Sequence, residues 1–201
     1  MKYHFSSLVI ASTNIGKVQE FKLLLKDFPL RILPLSNVLN VQENGDTFIK
    51  NARIKAIAAA KITGNYSLGD DSGLCVDALS GLPGVFSARY ANSDKDRIHK
   101  LLNELSGKEN RKATFKAAIC IVSPEKNILI EVQGECKGLI TESPRGKMGF
   151  GYDSIFQVDD TGKTFGEMSH SEKEIYSHRG KGFRLLEPLL RKQLENFPPS
   201  N

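Results

Sequence analysis

Residues 8–28 read Leu8-Val9-Ile10-Ala11-Ser12-Thr13-Asn14-Ile15-Gly16-Lys17-Val18-Gln19-Glu20-Phe21-Lys22-Leu23-Leu24-Leu25-Lys26-Asp27-Phe28, and this stretch decides the fold class. Its first residues, 8–12, form a short apolar run that predicts a buried strand. A polar turn, Thr13-Asn14-Ile15-Gly16, then opens a helix whose Val18, Phe21, Leu24, Leu25 and Phe28 fall on one stripe at helical spacing. A strand feeding a helix through a tight turn is the repeating unit of an α/β layer.

The same alternation continues outward from this unit. Residues 31–35 predict a second short strand. Asp46 or Thr47 caps a helix running to about Lys61, with Phe48, Ala52, Ala56, Ala59 and Ala60 on its packing side. Residues 66–69 predict a strand ending in Asp70-Asp71-Ser72-Gly73. Residues 80–91, rich in Gly, Pro and Ser, predict a long shaped loop. A helix follows over 94–105, with Ile98, Leu101, Leu102 and Leu105 at the right spacing. Residues 112–122 and 128–135 form a hairpin joined at Ser123-Pro124-Glu125-Lys126-Asn127. Ser169-His170-Ser171-Glu172 is a capping box. A last helix over about 180–197 carries Phe183, Leu186, Leu190, Leu194 and Phe197, with Pro188 expected to bend it. The expectation is one α/β domain over 1–201, a mixed twisted β-sheet flanked by helices.

Composition narrows the function classes. The 201 residues, 40% of them hydrophobic, suffice for a sizeable core, and no run approaches the roughly 18 apolar residues of a membrane span. The N-terminus has no long apolar region with a small-residue cleavage site, so a cytoplasmic location and no membrane partner are expected. Cys75, Cys120 and Cys136 form no CxxC pair and are read as buried free thiols. Net charge is 28 − 23 = +5. The basic residues are scattered, without a stripe or interleaved aromatics, so a basic pocket for a small polyanion explains them and no nucleic-acid partner is expected.

Several segments carry chemistry, each open to a plainer reading. Ser12-Thr13-Asn14-Ile15-Gly16-Lys17 offers backbone N–H groups at a helix start, hydroxyls and a lysine, which suit a phosphate. It is not a Walker A loop, since Ala11 replaces the first Gly and Val18 follows Lys17, and read alone it is first of all a capped helix with a solvated lysine. Asp70-Asp71-Ser72-Gly73 places adjacent carboxylates at a strand end, able to hold Mg²⁺; a simple Asx turn is the alternative. Gly149-Phe150-Gly151-Tyr152-Asp153 offers an aromatic face for a base, or a tight turn with one buried ring. Lys173 with Ser177-His178-Arg179-Gly180 is a cationic donor cluster, or a solvated helix end.

Taken in order, these motifs resemble the inosine triphosphate pyrophosphatase family. So do Gly45-Asp46-Thr47-Phe48 with Asn51-Ala52 and Lys55-Ala56, and Pro83-Gly84-Val85-Phe86-Ser87-Ala88-Arg89-Tyr90. The resemblance runs from near residue 8 to residue 190. One departure is visible: the first loop of the family usually reads Thr-Gly-Asn, and here it reads Ser12-Thr13-Asn14, which puts the backbone's approach to phosphate in question but keeps hydroxyl, Asn and Lys.

The resemblance implies an elongated mixed α/β fold of two lobes with a central substrate cleft, usually a homodimer. It implies Mg²⁺-dependent, house-cleaning hydrolysis of nonstandard purine nucleoside triphosphates (ITP, dITP, XTP) to the monophosphate and pyrophosphate. By the same resemblance Ser12, Thr13, Asn14, Ile15, Gly16, Lys17 and Lys55 would hold the triphosphate. Glu43 and Asp71 would bind Mg²⁺, with Asp71 also orienting or deprotonating the attacking water. Ser72 would contact substrate near the metal. Phe150, Gly151, Tyr152, Asp153, Lys173, His178 and Arg179 would hold the base. A 6-keto purine presents an acceptor where adenine presents a donor, and an arginine has donors only, so Arg179 suits hypoxanthine or xanthine. The nearest alternative is a related pyrophosphatase acting on pyrimidine or methylated nucleotides.

Overall fold

The computed structural model describes residues 5–35 and 41–196. The strands are β1 (Ser7–Ile10), β2 (Arg31–Leu33), β3 (Tyr66–Val76), β4 (Lys112–Val122), β5 (Ile128–Ile140) and β6 (Phe156–Val158). The helices are α1 (Ile15–Leu24), α2 (Phe48–Thr63), α3 (Asp94–Glu104), α4 (His170–Tyr176) and α5 (His178–Asn196). The strands form one six-stranded sheet in the order β2-β1-β3-β4-β5-β6. β1 is parallel to β2 and β3, with Leu8 opposite Ile32 and Tyr66, while β6 runs antiparallel to β5, so the sheet is mixed as expected.

Local chemistry explains the element starts. Asn14 caps α1 by accepting from the Lys17 N–H, Thr47 caps α2 from Lys50, and Ser93 caps α3 from Asp96. Ser169 and Glu172 close the expected capping box on α4, each side chain taking the other's backbone N–H. Gly64, with φ at +64°, ends α2. Pro188 lies inside α5. The expected Phe197 lies outside the described residues.

The chain divides into two compact units, residues 1–71, 118–133 and 182–201 in the first and 72–117 and 134–181 in the second. The first unit buries Leu8, Ile10, Phe21, Leu25, Leu68, Ile119, Phe183 and Leu186 in one core, with the Phe28 and Phe183 rings edge to face. The α1 stripe read from the sequence is therefore its packing face. The second unit has its own core, in which Leu101 and Leu105 pack with Phe115, Phe156 and Phe165. Cys120 and Cys136 are buried free thiols, one in each unit, and Cys75 is half-buried. Among the described residues no helix is long and apolar enough to cross a membrane.

Two expectations are corrected. Asp70-Asp71-Ser72-Gly73 is not a turn after a four-residue strand; it lies inside the eleven-residue β3. β5 likewise continues to Ile140, beyond the hairpin arm expected to end at 135. Gly69 allows α2 to lie against β3, because a Cβ there would stand 2.1 Å from the Ala52 carbonyl oxygen.

Candidate active site

In the first unit the polar residues converge on β3. Successive strand residues face opposite ways, so the adjacent carboxylates are divided. Asp70 receives the Lys17 ammonium from α1 at 2.7 Å. Asp71 lies on the Gly69 side, toward α2, where Asn51 Nδ2 donates to its Oδ2 at 3.1 Å and Lys55 Nζ to its Oδ1 at 2.9 Å. Asn51 and Lys55 are one helical turn apart, so a single face of α2 delivers both. Lys55 also bonds Glu43 at 3.1 Å, and thus stands against two carboxylates at once.

The electrostatics follow from burial. Burial pushes the Asp71 carboxyl above the usual aspartate range, with Glu43 adding to the rise and Lys55 and Lys17 opposing it. Burial disfavours charge on Lys55, yet Asp71 and Glu43 outweigh it and raise the ammonium's pKa. Lys55 therefore stays protonated and Asp71 is a more basic carboxylate than an exposed one. Among the described residues no group of three or more His, Cys, Asp or Glu could enclose a metal alone. Two carboxylates, completed by phosphate oxygens and water, are instead the way Mg²⁺ is held on nucleotides.

At the start of α1 the loop is ordered by its own side chains. Ser12 Oγ accepts from the Asn14 N–H at 3.2 Å, and Asn14 Oδ1 from the Lys17 N–H at 3.1 Å. Thr13 and Asn14 are exposed and Ser12 and Gly16 half-buried. Ile15, 74% exposed, contributes backbone to this turn and no core packing. The segment is both a capped helix start and a set of hydroxyl and amide groups facing solvent.

The second unit gathers the remaining predicted residues. Asp153, inside the unit, accepts from Lys173 Nζ at 2.5 Å and from the Phe150 N–H at 2.8 Å, both at Oδ2. The Lys173 ammonium also lies 4.7 Å from the Phe150 ring centroid, so it both pairs with Asp153 and contacts that aromatic face. Phe150 is half-buried. Tyr152 is 3% exposed, and its hydroxyl donates to the Ser87 carbonyl at 3.0 Å. Burial pushes its phenol well above the usual range.

His178 and Arg179 are 4% and 2% exposed, so the solvated helix end open from sequence is excluded. The His178 ring stacks on Phe115 at 4.6 Å with 8° between planes. Arg179 donates to Ser72 Oγ at 2.9 Å, and Ser72 follows Asp71 directly in the chain.

Sequence reasoning assigned no role to Asn51, Ser87, Asp94 or Phe115. Asn51 is fully buried, accepts from the Gly45 N–H at 2.9 Å and positions Asp71. Its spacing from Lys55 on an apolar helix face was the available signal. Ser87 Oγ accepts from the Leu74 N–H at 2.9 Å and donates to the Gly84 carbonyl at 2.6 Å, tying the Pro83–Tyr90 motif to β3. Nothing in the sequence marks Phe115 as the partner of His178.

Comparison with known proteins shows the family to which the chain belongs. The Ham1 family pattern matches residues 8–189. A dITP/XTP pyrophosphatase of Prochlorococcus marinus (strain NATL1A) is 56% identical over 187 residues, covering 93% of this chain and 95% of that protein. A dITP/XTP pyrophosphatase of Synechococcus sp. (strain CC9311) is 52% identical over 191 residues, covering 95% and 93%. The solved structure of a HAM1 protein from Coxiella burnetii superposes with a TM-score of 0.84 at 39% identity, covering 93% of this chain and 99% of that one. The Staphylococcus aureus Ham1 protein gives 0.82 at 38% identity, covering 94% and 100%. Matched along nearly its whole length in sequence and in fold, this chain belongs to the Ham1 family.

Proposed function

We propose that this protein hydrolyses nonstandard purine nucleoside triphosphates, ITP, dITP and XTP, to the monophosphate and pyrophosphate, and so clears them from the nucleotide pool. The observation that carries the reading is the Glu43–Lys55–Asp71 arrangement, where one half-buried ammonium stands against two carboxylates. The names of the similar proteins point the same way.

Glu43 and Asp71 would hold Mg²⁺, whose chemistry is to neutralise phosphate charge and polarise phosphorus. Asp71 orients the attacking water and takes its proton. Lys17 and Lys55 offset the charge that develops on departing pyrophosphate, with Ser12, Thr13, Asn14 and the α1 start supplying further donors to the triphosphate. Phe150 supplies the ring against which the purine stacks. Arg179, His178 and Lys173 supply donors for O6, and Asp153 keeps Lys173 in place. We place the enzyme in the cytoplasm and read it as a homodimer, the latter checked by sedimentation of the purified protein.

The test is pyrophosphate release from a panel of purine and pyrimidine triphosphates. ITP, dITP and XTP should be cleaved with Mg²⁺ and not in excess EDTA; preferential cleavage of a pyrimidine or methylated nucleotide would transfer the chain to the other reading. Arg179→Ala should cut kcat/KM for ITP by roughly ten- to a few hundred-fold, the loss of a charge-assisted hydrogen bond worth about 1.5–3 kcal/mol. ATP should suffer far less, so the preference collapses. Lys17→Ala should weaken all triphosphates alike. Equal losses for ITP and ATP in Arg179→Ala would remove the arginine from base selection.

A further inference from the structure

The loop 149–153 is held from several sides, and one of its anchors comes from an element with no role in the functional reading. Asp94, the first residue of α3, uses its two carboxylate oxygens separately: Oδ1 bonds Arg97 Nη1 at 2.8 Å and Oδ2 accepts from the Gly151 N–H at 2.7 Å. These residues are 57 apart in sequence, so the bond is tertiary and cannot arise from local turn geometry. Arg97 is itself fixed by Nε donating to the Ala91 carbonyl at 3.2 Å, which orients the carboxylate it pairs with. α3 is anchored by fully buried Leu101 and capped by Ser93, so Asp94 projects from a rigid support.

The bond reaches the residue next to Phe150. Phe150's own N–H is taken by Asp153 Oδ2, so consecutive amides of the loop point at two carboxylates from different elements. With both amides hydrogen-bonded, rotation of the peptide plane between Phe150 and Gly151 is restrained, and with it the direction of the Phe150 Cα–Cβ bond.

We propose that Asp94 is a positioning residue for purine binding: by holding the Gly151 N–H it fixes the peptide behind Phe150 and so the ring on which the base stacks, a role that rests on the functional reading given above. Asp94 touches no reacting atom in this account. Its loss leaves the water, the phosphate donors and the carboxylates of the first unit as they were, and costs the ordering of the ring at the moment of binding. The effect therefore falls on KM and spares kcat.

The experiment compares Asp94→Ala and Asp94→Asn with the unsubstituted full-length protein. Asparagine retains an acceptor oxygen, whereas alanine leaves the Gly151 amide to water. Asp94→Ala should raise KM for ITP roughly tenfold with kcat within about threefold, the effect of one lost charge-assisted bond, and Asp94→Asn should recover most of the change. Hydrogen exchange gives a readout free of nucleotide: the Gly151 amide should lose protection in Asp94→Ala and keep it in Asp94→Asn. An unchanged KM, or a fall in kcat and melting temperature without a change in KM, overturns the proposal. Unchanged protection at Gly151 also overturns it. Absence of ITP hydrolysis by the unsubstituted protein instead overturns the functional reading, and with it the purine part of Asp94's role, while the exchange result still reports whether Asp94 holds the loop.

Discussion

Asp71 is 6% exposed and takes two donors from α2, one on each oxygen, so replacing it by asparagine removes the charge and one acceptor while keeping shape and the other. Asp71→Asn should lower ITP turnover by roughly 10²–10⁴-fold, the usual contribution of a positioned acid or base, with an unchanged circular dichroism spectrum. A rate within about threefold of the parent would exclude it from the reaction. Lys173 poses the opposite question, of stability. Its side chain and that of Asp153 are 8% and 5% exposed, and removing one partner of a buried pair leaves the other charge uncompensated. Lys173→Met should cost about 3–5 kcal/mol in a urea titration. A cost below about 1 kcal/mol, the value of an exposed pair, would mean that water reaches Asp153. At this scale the sequence showed which residue types matter but not their facing. Asp70 and Asp71 read as a pair, yet the strand sends one to Lys17 and the other to Lys55.

Elements are joined by contacts that can be titrated. Arg53 of α2 and Glu131 of β5 form a two-pronged pair, with Nη2 donating to Oε2 at 2.6 Å and Nε to Oε1. The hydrogen bond from Arg53, and then its charge, hold the Glu131 carboxyl below its usual 4.5 despite partial burial. A carboxyl depressed in the folded state stabilises above its unfolded pKa and loses that contribution as pH falls through the folded one. Glu131→Gln should therefore lower the denaturation midpoint at neutral pH, with the difference from the parent closing as pH drops below 4.5. A difference that persists unchanged in acid would assign the effect to packing. Gly149 controls a loop in the same way that Gly69 controls a helix approach. Its φ is +79°, and a Cβ there would stand 2.0 Å from Asp153 Oδ2. Gly149→Ala should displace the carboxylate that holds Lys173 and Phe150, raising KM for ITP. The backbone alone adds about 1–2 kcal/mol of strain. Caps and helix faces were legible in the sequence because Asn14, Thr47 and Ser169 act within one turn of themselves. The length of β3 was not legible, since Gly, Asp and Ser favour turns and stay in a strand here only because lysines and Asn51 satisfy the carboxylates.

For the whole molecule, the two units each carry a buried thiol that reports on its unit. Burial pushes Cys120 in the first unit to about 12 and Cys136 in the second to about 11. Neither forms thiolate at neutral pH, and neither is reached by reagent in the folded state. Iodoacetamide at neutral pH should spare both and label them only after unfolding, with half-buried Cys75 reacting first. Mass spectrometry along a urea series then shows whether the units open together: simultaneous labelling of Cys120 and Cys136 means one transition, sequential labelling means two. Rapid labelling of either in the native protein would contradict its burial. The sequence by itself determined the α/β class, the caps, the packing faces of the helices and the family, because these rest on periodicity and on motifs read within a few residues. Only the tertiary structure decided that Asp153 neutralises Lys173, that Asn51 and Lys55 share Asp71, that His178 stacks on Phe115, and that Asp94 reaches Gly151. Those partners lie far apart along the chain, and hydrogen bonds and buried ion pairs depend on atoms brought within about 3 Å, a distance that chain folding sets and residue order alone does not encode.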